Sequence, residues 1–174
     1  MDAPDGAGVD NPRAREDRLP VYEAWNEDRA AAIIADHAGM DGAALPILHA
    51  LQHAFGCVPR DAVPMVASAL NLTRAEVHGI VTFYHEFRQS PPGRHILHVC
   101  RAEACQALGG DQVVAHARDR LGVDWHGTTP DGAVTLEPVF CLGLCAIGPA
   151  AMLDGEPLAR LDAAKLDAVL EQAS

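Results

Sequence analysis

Four of the five cysteines in this chain fall in two short stretches. In "VCRAEAC" four residues separate Cys100 from Cys105, and in "FCLGLCAIGP" three separate Cys141 from Cys145. A disulfide oxidoreductase would use C-x-x-C, and most zinc ribbons use two such pairs. Four thiolates converging suit either a tetrahedral zinc ion or an iron–sulfur cluster. Spacing favours the cluster. A [2Fe–2S] rhomb spreads its ligands over two irons and accepts wider loops such as C-x4-C, whereas structural zinc bites with shorter knuckles. Zinc, and a redox or structural thiol role, are the alternatives. Gly143, Ala146 and Gly148 are small enough to let backbone amides approach cluster sulfurs, one way in which a protein tunes potential.

Other residues with chemical capacity read more plainly. Cys57, in "FGCVP", has no neighbouring thiol and reads as a small buried hydrophobe. His49 and His53 lie one helical turn apart, but without a converging Cys or carboxylate they read as a solvated face or as satisfied core histidines. His98 stands two residues before Cys100 on the same side of a strand, which makes it at most a neighbour of the ligands. Phe83, Tyr84 and Phe87 lie at helical spacing and read as core or docking surface. The sequence holds no Ser-His-Asp pattern, no phosphate-cradling G-x-G-x-x-G and no Walker lysine.

These thiols must be positioned by the elements around them. At 174 residues the chain is long enough for one domain with a sizeable core, or a domain plus a helical extension. Residues 1–18 are rich in Asp, Arg, Gly and Pro, which predicts a disordered lead. Residues 19–90 predict a helical bundle. "NEDRAAAIIADHAG" carries acids near its start and stops at Gly39. "LPILHALQHAFG" sets Leu48, Leu51 and Phe55 at helical spacing before Gly56, and "DAVPMVASALN" is a shorter helix. "TRAEVHGIVTFYHEF" opens with Thr73 and Glu76, a capping box. Pro91-Pro92-Gly93 ends the helical signal. Over residues 91–174 the order is β-α-β-β-β-α. "HILHV" runs into Cys100, "GDQVVAHARDRLG" is a helix started by Asp111, and "AVTLEPV" alternates toward Cys141. "AMLDGEPLARL" is a hairpin around Asp154-Gly155, and "DAAKLDAVLEQ" a closing helix capped by Asp162, with Leu166, Val169 and Leu170 inward. Both cysteine pairs therefore follow strands.

Composition narrows the class. The net charge of −11, with 12 scattered Arg and a single Lys, excludes the clustered basic footprint of a nucleic-acid binder. No apolar run approaches the roughly 20 residues of a membrane span, and the polar N-terminal stretch is unlike a signal peptide. These features place the chain in the cytoplasm, where grouped cysteines more often bind metal or do redox chemistry than form structural disulfides.

Taken together, "CRAEACQALGG" and "FCLGLCAIGPAAMLDGEPLARL" resemble the thioredoxin-like [2Fe–2S] subunit of NADH-dehydrogenase modules. That family serves respiratory complex I, NAD-linked hydrogenases and NAD-dependent formate dehydrogenases. The resemblance extends from about Trp25 to the end and includes "FGCVPRDAVPMVASALNLTRAEVHGIVTFYHEFR". It implies an α/β fold, a thioredoxin-like [2Fe–2S] ferredoxin domain preceded by an N-terminal helical bundle. One cluster would hang on Cys100, Cys105, Cys141 and Cys145. Within the family, "CRAEAC" and "CLGLCAIGPAAMLDG" look most like the γ subunit of a soluble molybdenum- or tungsten-dependent formate dehydrogenase, which converts formate and NAD⁺ to CO₂ and NADH. The same subunit in complex I or in an NAD-linked hydrogenase is the alternative, ahead of a zinc-stabilised adaptor or a free ferredoxin. The resemblance implies a non-catalytic electron-transfer role, in direct heterodimer with an FMN- and NAD-binding subunit. FMN, further iron–sulfur clusters and the molybdenum cofactor would sit on partner subunits, with the large molybdenum- or tungsten-containing subunit in the same complex. A cluster beside the main electron path suits storage or tuning.

Overall fold

The computed structural model describes residues 22–173, so the lead expected over residues 1–18 lies outside the described residues. The described chain divides into two compact units, residues 22–92 and 93–173. Among the described residues no helix is long and apolar enough to cross a membrane.

The first unit is helical. Helix α1 (Glu27–His37) is opened by Asn26, whose side chain accepts from the Arg29 N–H at 2.8 Å. Helix α2 (Ala44–Phe55) stops at Gly56, in the left-handed region at φ 77°, where a side chain would be strained. Helix α3 spans Ala62–Leu70 and helix α4 Arg74–Phe83. The capping box at the start of α4 is complete. The Thr73 Oγ1 accepts from the Glu76 N–H at 3.2 Å, and the Glu76 carboxylate accepts from the Thr73 N–H at 2.7 Å. Leu48, Leu51 and Phe55 from α2 pack with Ile33, Val66 and Val77 into one core. Fully burying each such side chain contributes about 1.5–3 kcal/mol.

Helix α4 is shorter than its sequence pattern predicts, ending at Phe83 with Tyr84 in extended backbone. Tertiary bonds take over from helical ones beyond that point. The Gln52 amide of α2 donates to the Glu86 carbonyl at 2.8 Å and its oxygen accepts from the Arg88 N–H at 2.6 Å. Phe87 turns inward, nearly fully buried, with its ring 4.9 Å from that of His49. Phe83 stays in solvent, 73 % exposed. His49 and His53 lie on the exposed face of α2, the solvated reading.

The second unit is a four-stranded sheet in the order β2-β1-β3-β4 with helices packed on it. Strand β1 (His95–Cys100) runs parallel to β2 (Val134–Val139) and antiparallel to β3 (Ala151–Leu153), which pairs antiparallel with β4 (Glu156–Leu158). Between β1 and β2 lie a one-turn helix α5 (Glu103–Ala107) and the helix α6 (Gly110–Leu121). Helix α7 (Ala163–Gln172) closes the chain, with Asp162 accepting from the Lys165 N–H at 2.8 Å. Leu97, Leu136 and Leu153 from three strands meet Val113, Val114 and Ala117 of α6 and Leu166 and Leu170 of α7 in a second core. The β3–β4 turn adopts positive φ at both Asp154 and Gly155, 51° and 86°, as a two-residue Asp-Gly hairpin requires.

Two local expectations change. Asp111 sits in the first turn of α6, and the position before the helix belongs to Gly109 at φ 94°. Strand β2 does not alternate, because Val134, Thr135 and Leu136 are all buried. Thr135 is accommodated inside because its hydroxyl accepts from the Gly93 N–H at 2.7 Å and meets the Thr128 hydroxyl at 2.8 Å.

Candidate metal centre

Because β1 and β2 are parallel neighbours, their C-terminal ends open at one edge of the sheet. Cys100 ends β1 in register with Val139, and Cys141 follows two residues beyond Val139. The loop after β2 then passes the end of β1 and enters β3 on its other side. On one flank Val139 accepts from the Arg101 N–H at 2.7 Å, and on the other Ala150 accepts from the Cys100 N–H at 3.0 Å. The strand ending in Cys100 is thus clasped by the two ends of the loop that carries Cys141 and Cys145.

The one-turn helix α5, not anticipated from sequence, brings Cys105 back toward Cys100. The Gln106 amide donates to the Arg101 carbonyl at 2.7 Å and closes the turn. Gly110 lies so close beneath it that an added Cβ would stand 2.6 Å from the Cys105 carbonyl oxygen, so only glycine fits there. The adjacent Gly109-Gly110 was the signal in the sequence. Gly148 approaches from the second loop, where a Cβ would meet the Cys105 sulfur at 3.3 Å and the Leu108 side chain at 3.1 Å.

The two pairs differ in exposure. Cys100 and Cys105 are buried, 3 % and 1 % exposed, among Ala150, Leu142, Leu144 and Val139. Cys141 and Cys145 are exposed, with their sulfurs 4.0 Å apart. The Gly143 N–H donates to the Cys141 sulfur at 3.3 Å. Cys145 links the two pairs, acting on Cys105 of the inner pair while it is itself acted on by Cys100 and Cys141. Burial pushes the Cys105 thiol up from its ordinary value, and its hydrogen bond to Cys100 and the charges of Cys100 and Cys145 add to that, against a bond from the Ala150 backbone. The Cys145 thiol is raised first by its hydrogen bond to Cys141 and next by the Cys141 charge, with Cys100 contributing. A cationic group set among thiolates that oppose each other's ionisation favours the loss of their protons.

Among the described residues no three His, Cys, Asp or Glu side chains are grouped to hold a metal ion. The thiols instead stand as two pairs, one buried and one exposed, an arrangement that fits a [2Fe–2S] cluster with two thiolates on each iron. All-sulfur donors with amide N–H groups on the sulfurs suit iron–sulfur chemistry. Cys57 is buried in the first unit, with its thiol pushed up by burial and drawn partly back by Arg88. His98 is half-buried on β1, in register with Glu137 and Met152.

Comparison with known proteins agrees with this arrangement. A family model described as thioredoxin-like [2Fe–2S] ferredoxin matches residues 30–174. The chain is 38 % identical over 114 residues to a NADH-quinone oxidoreductase subunit of Pseudomonas aeruginosa, covering 66 % of this chain and 69 % of that one. It is 32 % identical over 162 residues to the corresponding NADH-quinone oxidoreductase subunit of Escherichia coli K12, covering 90 % and 98 %. With the NADP-reducing hydrogenase subunit HndA of Solidesulfovibrio fructosivorans it shares 34 % identity over 113 residues, 65 % and 66 % of the two chains. In three dimensions it resembles an NAD⁺-reducing [NiFe]-hydrogenase in the H₂-reduced state, at a TM-score of 0.60 and 29 % identity. That match covers 72 % of this chain and 22 % of the hydrogenase chain, so this chain spans only a part of that protein. The chain belongs to the thioredoxin-like [2Fe–2S] ferredoxin family.

Proposed function

We propose that Cys100, Cys105, Cys141 and Cys145 hold one [2Fe–2S] cluster, and that the chain is the non-catalytic electron-transfer subunit of an NADH-dehydrogenase module. The observation that carries this reading is that two cysteine pairs, the buried Cys100 and Cys105 and the exposed Cys141 and Cys145, stand beyond the ends of two parallel neighbouring strands at one edge of the sheet. When bound, such a cluster passes single electrons. The chain's own residues supply the rest. Cys100 and Cys105 form the inner, water-excluded side, with Leu142 and Leu144 packed over them. Cys141 and Cys145 form the outer side, open to a partner. The Gly143 and Ala150 N–H groups at sulfur stabilise added negative charge.

The partner in this reading is an FMN- and NAD-binding subunit. The exposed Phe83 and Tyr84 of the helical unit offer apolar surface for such docking. The names of the relatives favour a host of the NADH-quinone oxidoreductase or NAD-linked hydrogenase kind. A molybdenum- or tungsten-dependent formate dehydrogenase host rests on "CRAEAC" and "CLGLCAIGPAAMLDG" alone. Affinity purification of the tagged chain from its native cell tests both levels. The proposal expects an FMN-containing subunit in stoichiometric amount, and recovery of the chain without any flavoprotein would contradict it. Nickel or molybdenum in the same complex, or a quinone-reductase assembly, identifies the host.

A further inference from the structure

The two thiol pairs differ in what can reach them. Cys141 and Cys145 are exposed, their sulfurs 4.0 Å apart, on a loop whose backbone turns through Gly143 at φ 77°. A disulfide brings two sulfurs to about 2.05 Å, so each has to move roughly 1 Å. The loop between them is three residues outside any strand or α-helix, and closure is local to it. Cys100 and Cys105 are also near each other, but they are enclosed, and they sit on a strand end and a helix that the surrounding bonds hold in place. Cys57 is buried in the other unit.

We propose that Cys141 and Cys145 form a redox-active dithiol that closes to an internal disulfide when the chain carries no cluster, and that this closure blocks cluster insertion until it is reduced. The oxidant is a low-molecular-weight disulfide of the glutathione class. One thiolate of the pair attacks a sulfur of that disulfide, forming a mixed disulfide and releasing one glutathione thiolate. The second thiolate attacks the protein sulfur of the mixed disulfide and expels the other glutathione. One S–S bond forms and one breaks, two electrons pass from the protein to the oxidant, and the two protons of the dithiol end on the expelled thiols. The disulfide itself rests on thiol geometry and exposure. Only its effect on cluster insertion rests on the four cysteines being ligands.

The sequence makes the test direct, because trypsin places Cys100, Cys105 and the 141/145 pair on three separate peptides, cut at Arg94, Arg101, Arg118, Arg120 and Arg160. The full-length chain, stripped of metal, is treated anaerobically with oxidised glutathione, alkylated after unfolding, digested and weighed. The expected product is the peptide 121–160 lighter by two hydrogens and unalkylated, with Cys57, Cys100 and Cys105 alkylated. In Cys145→Ser the reaction is expected to stop at a glutathione adduct on Cys141. Stable adducts on both cysteines of the native chain, or a cross-link to the Cys100 or Cys105 peptide, would overturn the proposal. Ferrous iron and sulfide are then added to the oxidised chain. Iron incorporation is expected at background without dithiothreitol and at about two irons per chain with it. Insertion into the oxidised chain without reductant would overturn the block. A disulfide that forms in a chain unable to take iron even when reduced supports the dithiol and removes the ligand reading.

Discussion

At the scale of single residues, the proposed cluster depends on all four paired thiols alike. Replacing Cys100, Cys105, Cys141 or Cys145 by Ser is expected to bleach the chain or make its colour short-lived, because Ser is a poor ligand for iron; iron content and visible absorption measure this. Cys57→Ser is expected to keep its colour. Gly148 lies at φ −70°, so its requirement is for space alone. The exposed end of Leu108 can swing away from a new methyl, but the Cys105 sulfur could not if it holds the proposed cluster. Gly148→Ala is therefore expected to lose cluster on the order of tenfold faster, with a normal far-ultraviolet spectrum. Unchanged bleaching would show that Cys105 is free to move. Cys57 gives a pH test. Burial raises its thiol, so the folded helical unit favours the protonated form. That contribution is complete below the ordinary thiol value and is lost as pH rises through the folded one. Cys57→Ala is expected to flatten the decline in denaturant midpoint as pH rises above the ordinary thiol value of about 8.5. The two cysteine pairs stand out in the sequence because their spacing is local. Gln106 and the Ala150 amide do not stand out, because their roles arise only when α5 folds back and the loops close over β1.

At the scale of elements, what could be read followed from backbone chemistry confined to a few residues. The Thr73–Glu76 box, the Asp162 cap, the Gly56 stop and the Asp154-Gly155 hairpin each require only neighbours in sequence, and each stands where the sequence set it. Thr73→Ala is expected to cost about 1 kcal/mol in urea unfolding of the helical unit. Leu166→Ala, which empties a fully buried position under the sheet, is expected to cost about 2–5 kcal/mol. Equal losses from the two would contradict the burial pattern. Helix α4 was overestimated because its spacing persists through Phe87, while the Gln52 bonds that bend the chain come from α2. Helix α5 was missed because a single turn leaves no periodicity to detect. Strand β2 concealed Thr135, whose burial depends on partners at Gly93 and Thr128.

At the scale of the whole molecule, the break at Pro91-Pro92-Gly93 separates a unit that holds the thiols and the exposed Phe140 from one that holds the exposed Trp25, Phe83 and Tyr84. Each has its own apolar core, so each is expected to fold without the other. Removing residues 1–92 is expected to leave a coloured domain that no longer captures the flavin-bearing partner. Capture at the full-length level would place docking on the cluster unit instead. Host identity was the least legible property, because residues between ligands do not report which large subunit lies beyond the neighbouring one. The central claim is that this chain holds a [2Fe–2S] cluster on four named thiolates. Iron, zinc and acid-labile sulfide analysis of the anaerobically purified full-length chain, with EPR after dithionite reduction, tests it most directly. The account predicts a brown protein with about two irons and two sulfides and the signal of one unpaired electron, and a colourless protein with stoichiometric zinc would contradict it.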